Sequence, residues 1–386
     1  MNWLSERIGA LAREHPGMTR IHCGGESLAL GELVERSRAV AGALQELGIG
    51  RGDRVGVLTS RSLGTLQALL GIARSGAAYM PLDAGHPAGR LATILAGSSA
   101  ALVVDGAGAR PAGDLGCNVL AVDRLGVGAG AAPLDLPSGG DDLLYVIHTS
   151  GSTGTPKGAG VRHSGFRNLL EWYLAETGMG GDDCVLVFSA PTFDLTQKNL
   201  IAPLLCGADL VLDPEPHYEI GRLLELIERH RVTLLNCTPS AFYPLVENAS
   251  PGQLRRLSSL RHVVLGGEPV ATARLRPWLL SPDCRADVLN TYGPTECTDI
   301  ALFYRLTRDN HELHEFAPAG LPIPNVRVAV VDSGLKKVLP GVAGELVIGG
   351  AGVGAGYVND PGRTSEAFVG NPFPEWPGEL VYRTGD

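Results

Sequence analysis

The chain of 386 residues has few lysines, few aromatic residues and no long apolar run. Aromatic residues make up only 5% of it, whereas 44% hydrophobic and 19% charged residues are ordinary for a globular protein. Because no stretch of about 18 apolar residues occurs, no transmembrane helix is expected. A net charge of −9 gives little attraction to nucleic acid or to an anionic membrane, so neither is expected as a partner.

The seven cysteines follow no pattern typical of disulfides or metal sites. They are odd in number, scattered along the chain and without any CxxC pair, so neither a disulfide framework nor a zinc site is expected. Residues 1–17 carry charged and apolar residues at helical spacing, which predicts an amphipathic helix rather than a signal peptide. Together these features predict a cytoplasmic protein.

Residues 143–158, LLYVIHTSGSTGTPKG, run from an apolar strand into Thr, Ser and Gly and end with a lysine and a glycine. Small residues let backbone N–H groups curl around an anion, hydroxyl groups add donors, and Lys157 adds a positive charge. Lys157 is one of only four lysines, against 28 arginines. The NTPase motif GxxxxGK followed by Ser or Thr is not matched, because Pro156 precedes the lysine and Gly158 follows it. The segment predicts a phosphate-binding loop and a bound nucleotide; the alternative is a flexible surface loop.

The length predicts two or three packed units. Up to about residue 210, helical segments such as 30–47 alternate with short apolar strands such as 54–58 and 101–104. This alternation is typical of α/β folds, in which helices cover parallel sheets. The later elements are a helix over 219–230 and strands over 232–237, 262–265, 326–331, 345–349 and 379–383. The last three strands predict a small all-β unit after Pro318.

Six further segments occur with this loop in a familiar order. They are LALGELVERS at Leu28, RSGAAYMPLD at Arg74, FDLT at Phe193, NTYGPTE at Asn290, GELVIGGAGVGAGYV at Gly344 and YRTGD at Tyr382. Together with TSGSTGTPKG they resemble the core motifs of adenylation domains of nonribosomal peptide synthetases, in the adenylate-forming, AMP-binding superfamily. The resemblance implies an α/β fold with two doubly wound βα lobes and a small distorted β-barrel. The approximate subdomains are 1–180, 181–315 and 316–386.

The resemblance also implies a reaction. An amino-acid carboxylate attacks the α-phosphate of ATP bound with Mg²⁺, which gives aminoacyl-AMP and pyrophosphate, and the acyl group later passes to a peptidyl carrier protein with a phosphopantetheine arm. Other synthetase domains of a parent chain are further expected partners. The first step requires neutralisation of phosphate charge and positioning of the reactants.

The resemblance assigns residues to ATP. Thr149 and Lys157 would act on the β- and γ-phosphates, Thr295 on an α-phosphate oxygen, and Glu296 on Mg²⁺, which prefers carboxylate oxygen. Tyr292 would offer its ring to adenine, and Asp386 would accept the ribose hydroxyl groups. The remaining expected nucleotide residues are Ser150, Gly151, Ser152, Thr153, Gly154, Gly266, Gly267, Glu268, Pro269, Asn290, Thr291 and Gly293.

The resemblance places an amino-acid pocket beside these residues. Asp194 would hold the α-ammonium group in a charge-assisted contact. Alternatively, Asp194 is the N-cap residue of a helix. The remaining expected pocket residues are Phe193, Leu195, Lys198, Asn236, Val264, Gly266, Thr291, Gly293, Asp299 and Ile300.

Asp299 is the informative member of this set, because a buried carboxylate requires a cation or strong donors. A basic or guanidino side chain, as in arginine or capreomycidine, is the expected substrate. A neutral polar amino acid such as Asn and an acidic one are the alternatives. Lys198 would neutralise Asp299, bind an acidic substrate or point away.

Complete members of the family continue past TGD into a C-terminal lid domain. The 386 residues are therefore expected to be the large adenylation core, which binds substrates but turns over poorly. Two other functions stay open: a stand-alone acyl-CoA or aryl-acid ligase, and a non-catalytic nucleotide-binding and amino-acid-binding domain.

Overall fold

A computed structural model of the protein describes residues 2–100, 102–108, 113–125, 138–149 and 156–386. The α-helices of this part are α1 (Trp3–Glu14), α2 (Leu30–Glu46), α3 (Leu63–Ser75), α4 (Ala88–Gly97), α5 (His163–Thr177), α6 (Asp194–Cys206), α7 (Ile220–His230), α8 (Pro239–Val246), α9 (Pro251–Arg256), α10 (Thr272–Leu279) and α11 (Pro361–Ala367). Short 3-10 helices span Val122–Arg124 and Thr295–Cys297. Within the described ranges, no helix has the length and apolar character needed to cross a membrane.

The strands form three sheets. They are β1 (Arg20–Cys23), β2 (Glu26–Ala29), β3 (Arg54–Thr59), β4 (Ala78–Asp83), β5 (Leu102–Asp105), β6 (Val119–Ala121), β7 (Leu143–Thr149), β8 (Lys157–Arg162), β9 (Cys184–Val187), β10 (Asp209–Leu212), β11 (Leu234–Cys237), β12 (His262–Gly266), β13 (Asp287–Tyr292), β14 (Leu302–Leu306), β15 (Leu321–Pro322), β16 (Val326–Val331), β17 (Glu345–Gly350), β18 (Phe368–Gly370) and β19 (Leu380–Arg383). The predicted elements are confirmed, with ends that differ from the predicted ones by at most three residues.

The first sheet has six strands in the order β6-β5-β3-β4-β7-β8. All of its pairs are parallel except β7–β8. Helices α2 and α3 pack closely, because Gly71 of α3 has no side chain: a Cβ there would lie 2.5 Å from Val40 Cβ. Parallel sheets require such helical cover, so this half matches the predicted α/β class.

The second sheet has nine strands in the order β15-β14-β13-β12-β11-β9-β10-β1-β2. Strands β9 to β13 and β1 run parallel, and strands β9 and β11 are buried along their whole length. The hairpin β1–β2 pairs with β10 although it precedes the first sheet in the chain. The subdomain boundaries 1–180, 181–315 and 316–386 stay a prediction.

The third sheet is antiparallel, with the order β16-β17-β19-β18. It contains the three late strands that the sequence predicts, and its core includes Val347, Phe373 and Trp376. In the described residues no ladder joins its edge strands β16 and β18, so the closed barrel stays a prediction. The sheet carries the motif residues 344–358 to the first two sheets, where Gly354 N donates to the Glu296 carbonyl oxygen at 2.8 Å.

Candidate active site

The predicted phosphate loop connects two paired strands. Thr149 ends β7 and lies opposite Lys157, which begins β8. Ser150, Gly151, Ser152, Thr153 and Gly154 lie outside the described residues. Because the loop leads into a strand and not into a helix, any anion bound there would be held by loop amides, hydroxyl groups and Lys157. The Lys157 Nζ atom lies 5.1 Å from the centroid of the Tyr357 ring.

Glu296 is held by a tyrosine that the sequence reasoning missed. The buried Glu296 lies in the 3-10 helix Thr295–Cys297, and its Oε1 accepts a hydrogen bond from the Tyr357 hydroxyl at 2.6 Å. Burial, together with that carboxylate, raises the pKa of Tyr357, so the phenol stays protonated and donates. No hydrogen bond from the described residues reaches Oε2, so this oxygen can take a ligand. The signal for Tyr357 was its place in the motif GAGYV.

Asp194 and Thr295 are in direct contact. Helix α6 begins at Asp194, after Phe193 in the N-cap position, and Asp194 Oδ1 accepts from the Leu195 N–H at 2.7 Å. Its second oxygen, Oδ2, accepts from the Thr295 hydroxyl at 2.5 Å. The alternative interpretation of Asp194 as the N-cap is wrong, because Phe193 holds that position and Asp194 is the first residue of the helix. The carboxylate faces the motif predicted for ATP.

A cavity of about 500 Å³ brings most of the predicted adenine and ribose residues together. Those that line it are Gly267, Glu268, Pro269, Asn290, Thr291, Tyr292, Gly293 and Asp386. The Tyr292 hydroxyl donates to the Asp386 carboxylate, which links strand β13 to the YRTGD motif. Glu268 accepts two hydrogen bonds from Ser240, at 2.7 and 3.0 Å, and these fix the turn after β12.

Helix α6 buries a run of polar side chains, and each of them is satisfied. Gln197 accepts from the Tyr79 hydroxyl at 3.0 Å, and Asn199 donates to Asn236 Oδ1 at 2.9 Å. Lys198 is 1% exposed and contacts Asp299 and Asn236. Because unpaired buried polar groups are costly, these contacts explain how a polar run lies inside the fold. Asn199 was missed; its signal was the polar run QKN in an otherwise apolar helix.

The other expected pocket residues lie on the neighbouring strands. Asn236 of β11 pairs with Val264 of β12, and Gly266 of β12 pairs with Thr291 of β13. Asn236 Nδ2 donates to the Val264 carbonyl oxygen at 2.9 Å. Ile300 is fully buried in the main core, whereas Phe193 is 57% exposed. The set is thus contiguous, with Phe193 at its outer end.

The backbone that carries Asp299, an expected pocket residue, is unusual. Thr298 and Asp299 both have positive φ, 62° and 67°, a region that residues other than glycine rarely adopt. Strain of this kind costs about 1–3 kcal/mol per residue and persists where the surroundings fix it. Here Thr298 Oγ1 donates to the Gly352 carbonyl oxygen, and Gly293 permits a close approach, since a Cβ there would lie 2.3 Å from Asp299 O.

A second cavity of about 430 Å³ opens beside Asp194 and Thr295. Residues that the sequence reasoning missed line it, among them Asp83, His86 and Arg90. His148, one residue before Thr149, also lines it; burial lowers the pKa of this histidine to about 4. The cavity joins the start of the phosphate loop to Asp194, the residue expected at the α-ammonium group.

Comparisons with known proteins agree on one family. Residues 10–358 match the family of AMP-binding enzymes. Malpibaldin synthetase of Mortierella alpina is 37% identical over 391 aligned residues, which cover 100% of this chain and 7% of that protein. The chain therefore spans less than a tenth of the length of this curated relative.

Solved structures agree with the sequence match. The nonribosomal peptide synthetase FmoA3 bound to α-methyl-L-serine-AMP superposes with a TM-score of 0.90 and 31% identity, over 99% of this chain and 43% of that one. Its AMPPNP-bound form superposes with a TM-score of 0.88 and 32% identity, over 99% of this chain and 41% of that one. The N-terminal subdomain of Klebsiella oxytoca NpsA, in complex with 3-hydroxybenzoyl-AMSN, superposes with a TM-score of 0.85 and 25% identity. The match covers 100% of this chain and 96% of that one.

Proposed function

Because the chain belongs to the family of AMP-binding enzymes, we propose that it activates an amino acid with ATP to give an aminoacyl adenylate. The contact between Asp194 and Thr295 carries this proposal. It sets a carboxylate that can hold an α-ammonium group directly beside a hydroxyl that can contact the α-phosphate. The likeness to nonribosomal peptide synthetases supports the same activity.

In the proposed step the substrate carboxylate oxygen attacks the α-phosphorus of ATP. A new O–P bond forms, the bond from the α-phosphorus to the bridging oxygen breaks, and pyrophosphate leaves. The residues supply positions and charge, not a covalent nucleophile. Asp194 orients the ammonium group, Thr295 contacts the α-phosphate, and Lys157 with Thr149 contacts the phosphates that depart.

ATP would occupy the cavity of about 500 Å³ that Gly267 and Asp386 line. Support comes from the AMPPNP-bound form of the structurally similar FmoA3 and from the lining residues described above. Glu296 fits Mg²⁺, because its Oε2 remains available and Mg²⁺ is commonly held by one or two carboxylates together with substrate phosphates. Bound there, Mg²⁺ would neutralise charge on the phosphate oxygens.

An amino acid is favoured over an aryl acid because of Asp194. An aryl acid has no ammonium group to return the charge-assisted contact, which would leave the carboxylate with hydrogen-bond donors but no counter-ion. The NpsA structure, whose ligand is a 3-hydroxybenzoyl compound, makes the aryl acid the relevant competitor in a test.

The acyl group of the adenylate would then pass to a carrier protein. The phosphopantetheine thiolate would attack the acyl carbon, a C–S bond would form, the bond from that carbon to the phosphate oxygen would break, and AMP would leave. An artificially fused adenylation–carrier di-domain of NpsA is also similar in structure, with a TM-score of 0.87. Other synthetase domains as partners, and poor turnover of these 386 residues alone, stay predictions.

Calorimetric binding to this chain tests the proposed activity. AMPPNP with Mg²⁺ is titrated first, and then each of the common amino acids or 3-hydroxybenzoic acid is titrated into the complex. We expect at least one amino acid to bind wild type and to lose about tenfold or more in Asp194→Asn, since a hydrogen bond to a charged group is worth about 1.5–3 kcal/mol. Asp141→Asn, whose side chain is 94% exposed, is the matched control. Binding of the aryl acid alone would assign the chain to the aryl-acid ligases.

A further inference from the structure

The ammonium group of Lys198 is saturated by the protein itself. Its Nζ donates to Asp299 Oδ2 at 2.7 Å, to Asn236 Oδ1 at 3.0 Å and to the Leu195 carbonyl oxygen at 3.2 Å. A lysine ammonium has three N–H donors, so all of them are used. Lys198 therefore has no donor left for a substrate carboxylate.

Asp299 keeps one oxygen for a ligand. Its Oδ2 is the atom paired with Lys198, and no hydrogen bond from the described residues reaches Oδ1. The side chain is 8% exposed, and Oδ1 is not among the fully enclosed unpartnered polar atoms of the described residues, so a ligand can reach it. The strained backbone at residues 298 and 299 fixes the position of this group. A carboxylate oxygen accepts hydrogen bonds, so a donor on the substrate suits it.

The charges around the pocket cancel once an amino acid binds. Asp194 is compensated by the α-ammonium group of the substrate, and Lys198 compensates Asp299. A guanidinium or ammonium side chain would add a buried positive charge that has to share Asp299 with Lys198. An acidic side chain would add a negative charge and meet no free lysine donor. Uncompensated buried charge is strongly unfavourable, so both are disfavoured.

On the basis of the proposed function, we infer that the pocket selects an amino acid with a neutral side chain that carries an O–H or N–H donor, a hydroxyl or an amide. Lys198 acts as the specificity-determining residue that keeps basic side chains out, and Asp299 Oδ1 accepts from the substrate. The guanidino substrate expected from the sequence would have to share Asp299 with Lys198, so the ion pair disfavours it.

Substitutions at both ends of the ion pair test this assignment. Binding of Ser, Thr, Asn, Gln, Arg, Lys, Asp, Glu and Leu to the complex of this chain with AMPPNP and Mg²⁺ is measured by calorimetry. In wild type we expect a hydroxyl or amide amino acid to bind tightest. Lys198→Met leaves Asp299 unpaired, so Arg or Lys should gain about tenfold or more. Lys337→Met, at an exposed lysine, is the matched control.

The double variant Lys198→Met/Asp299→Asn separates charge from folding. It removes both charges, so the preference for neutral side chains should return. AMPPNP binding in every variant serves as the check that the fold is intact. Tighter binding of Arg, Lys, Asp or Glu than of all neutral polar amino acids by wild type would overturn this inference and leave amino-acid activation standing. If AMPPNP binds but no amino acid does, the proposed activity fails, and the inference fails with it.

Discussion

The Thr295 hydroxyl donates to Asp194 Oδ2 at 2.5 Å. The residue expected at the α-phosphate and the residue expected at the α-ammonium group thus share one hydrogen bond across the junction of the two substrate sites. A hydroxyl has a single proton, so Thr295 gives up this bond when it donates to the α-phosphate, and Asp194 Oδ2 then becomes free for the α-ammonium group. Binding of the nucleotide and binding of the amino acid should therefore depend on each other.

Thr295→Val tests this dependence. The substitution keeps the shape and removes the donor, so the factor by which AMPPNP strengthens amino-acid binding should fall by about tenfold. Calorimetry of each ligand with and without the other measures the factor. Thr93→Val, at an exposed threonine of helix α4, should leave it unchanged. An unchanged factor in Thr295→Val would show that the hydrogen bond does not couple the two sites.

Tyr357→Phe should weaken the response to Mg²⁺. Without the phenol, Glu296 loses the hydrogen bond that orients its carboxylate, and loss of an outer partner of a metal ligand typically costs about 10–100-fold in metal affinity. Mg²⁺ is titrated at a fixed AMPPNP concentration, and its affinity is measured from the heat of binding or from the rise in unfolding temperature. Tyr218→Phe, far from Glu296 in sequence and hydrogen-bonded only to the Ala241 carbonyl oxygen among the described residues, is the control. Equal Mg²⁺ affinity in wild type and Tyr357→Phe would contradict this role.

Asp299 should make stability depend on pH in the acid range. Burial raises its pKa to about 6, although Lys198 opposes the shift, and an unfolded aspartate titrates near about 3.9. Between these values the folded chain keeps a proton that the unfolded chain has lost. The contribution of Asp299 to the free energy of unfolding is therefore largest below about pH 4 and falls as the pH rises to about 6.

Urea unfolding of wild type and Asp299→Asn at pH 4, 5, 6 and 7 measures this contribution. The free energy of unfolding of wild type should fall relative to the variant by at most about 1.4 kcal/mol per pH unit. It should level off above pH 6. Asp141→Asn keeps Asp299, so its free energy of unfolding should follow the pH dependence of wild type. A difference that rises with pH would mean that the pKa of Asp299 is lowered in the folded chain.

Gly293→Ala should destabilise the fold. Its Cβ would lie 2.3 Å from Asp299 O and 2.7 Å from Ala301 N, and backbone atoms cannot rotate away as a side chain does. Overpacking of this kind costs about 1–3 kcal/mol or more. Gly97→Ala at the end of helix α4 meets nothing within 4 Å and is the control. Urea unfolding compares the two; equal stability would show that the loop 293–301 relaxes freely.

Local sequence patterns were enough to predict many of the elements but not how the strands pair. Helix α2 and strands such as β3 and β12 follow from hydrophobic periodicity and from turn residues, which act over a few positions. The place of the hairpin β1–β2 beside β10 depends on contacts far apart in the sequence, and no short pattern encodes it. The same holds for the order of the nine strands.

In the site, motifs predicted which residues would come together, but not their hydrogen bonds. The pocket residues on α6, β11, β12 and β13 are contiguous as expected. Three options were open for Lys198, and the choice depended on Asn236 and the Leu195 carbonyl oxygen lying within reach together with Asp299. Tyr357 and Glu296 are 61 positions apart, so their bond could not be read from either motif. The functional roles themselves stay predictions until ligands are measured.

The position of β1 beside β10 also sets the order of events during synthesis. Arg20 N donates to Asp209 Oδ1 across 189 positions of the chain. A ribosome that adds about 5–20 residues per second needs roughly 10–40 s to make that interval. During this time the hairpin β1–β2 has one edge without its partner strand, and an open edge can pair with another chain. The open edge of this hairpin therefore favours aggregation of the nascent protein until β10 has left the ribosome.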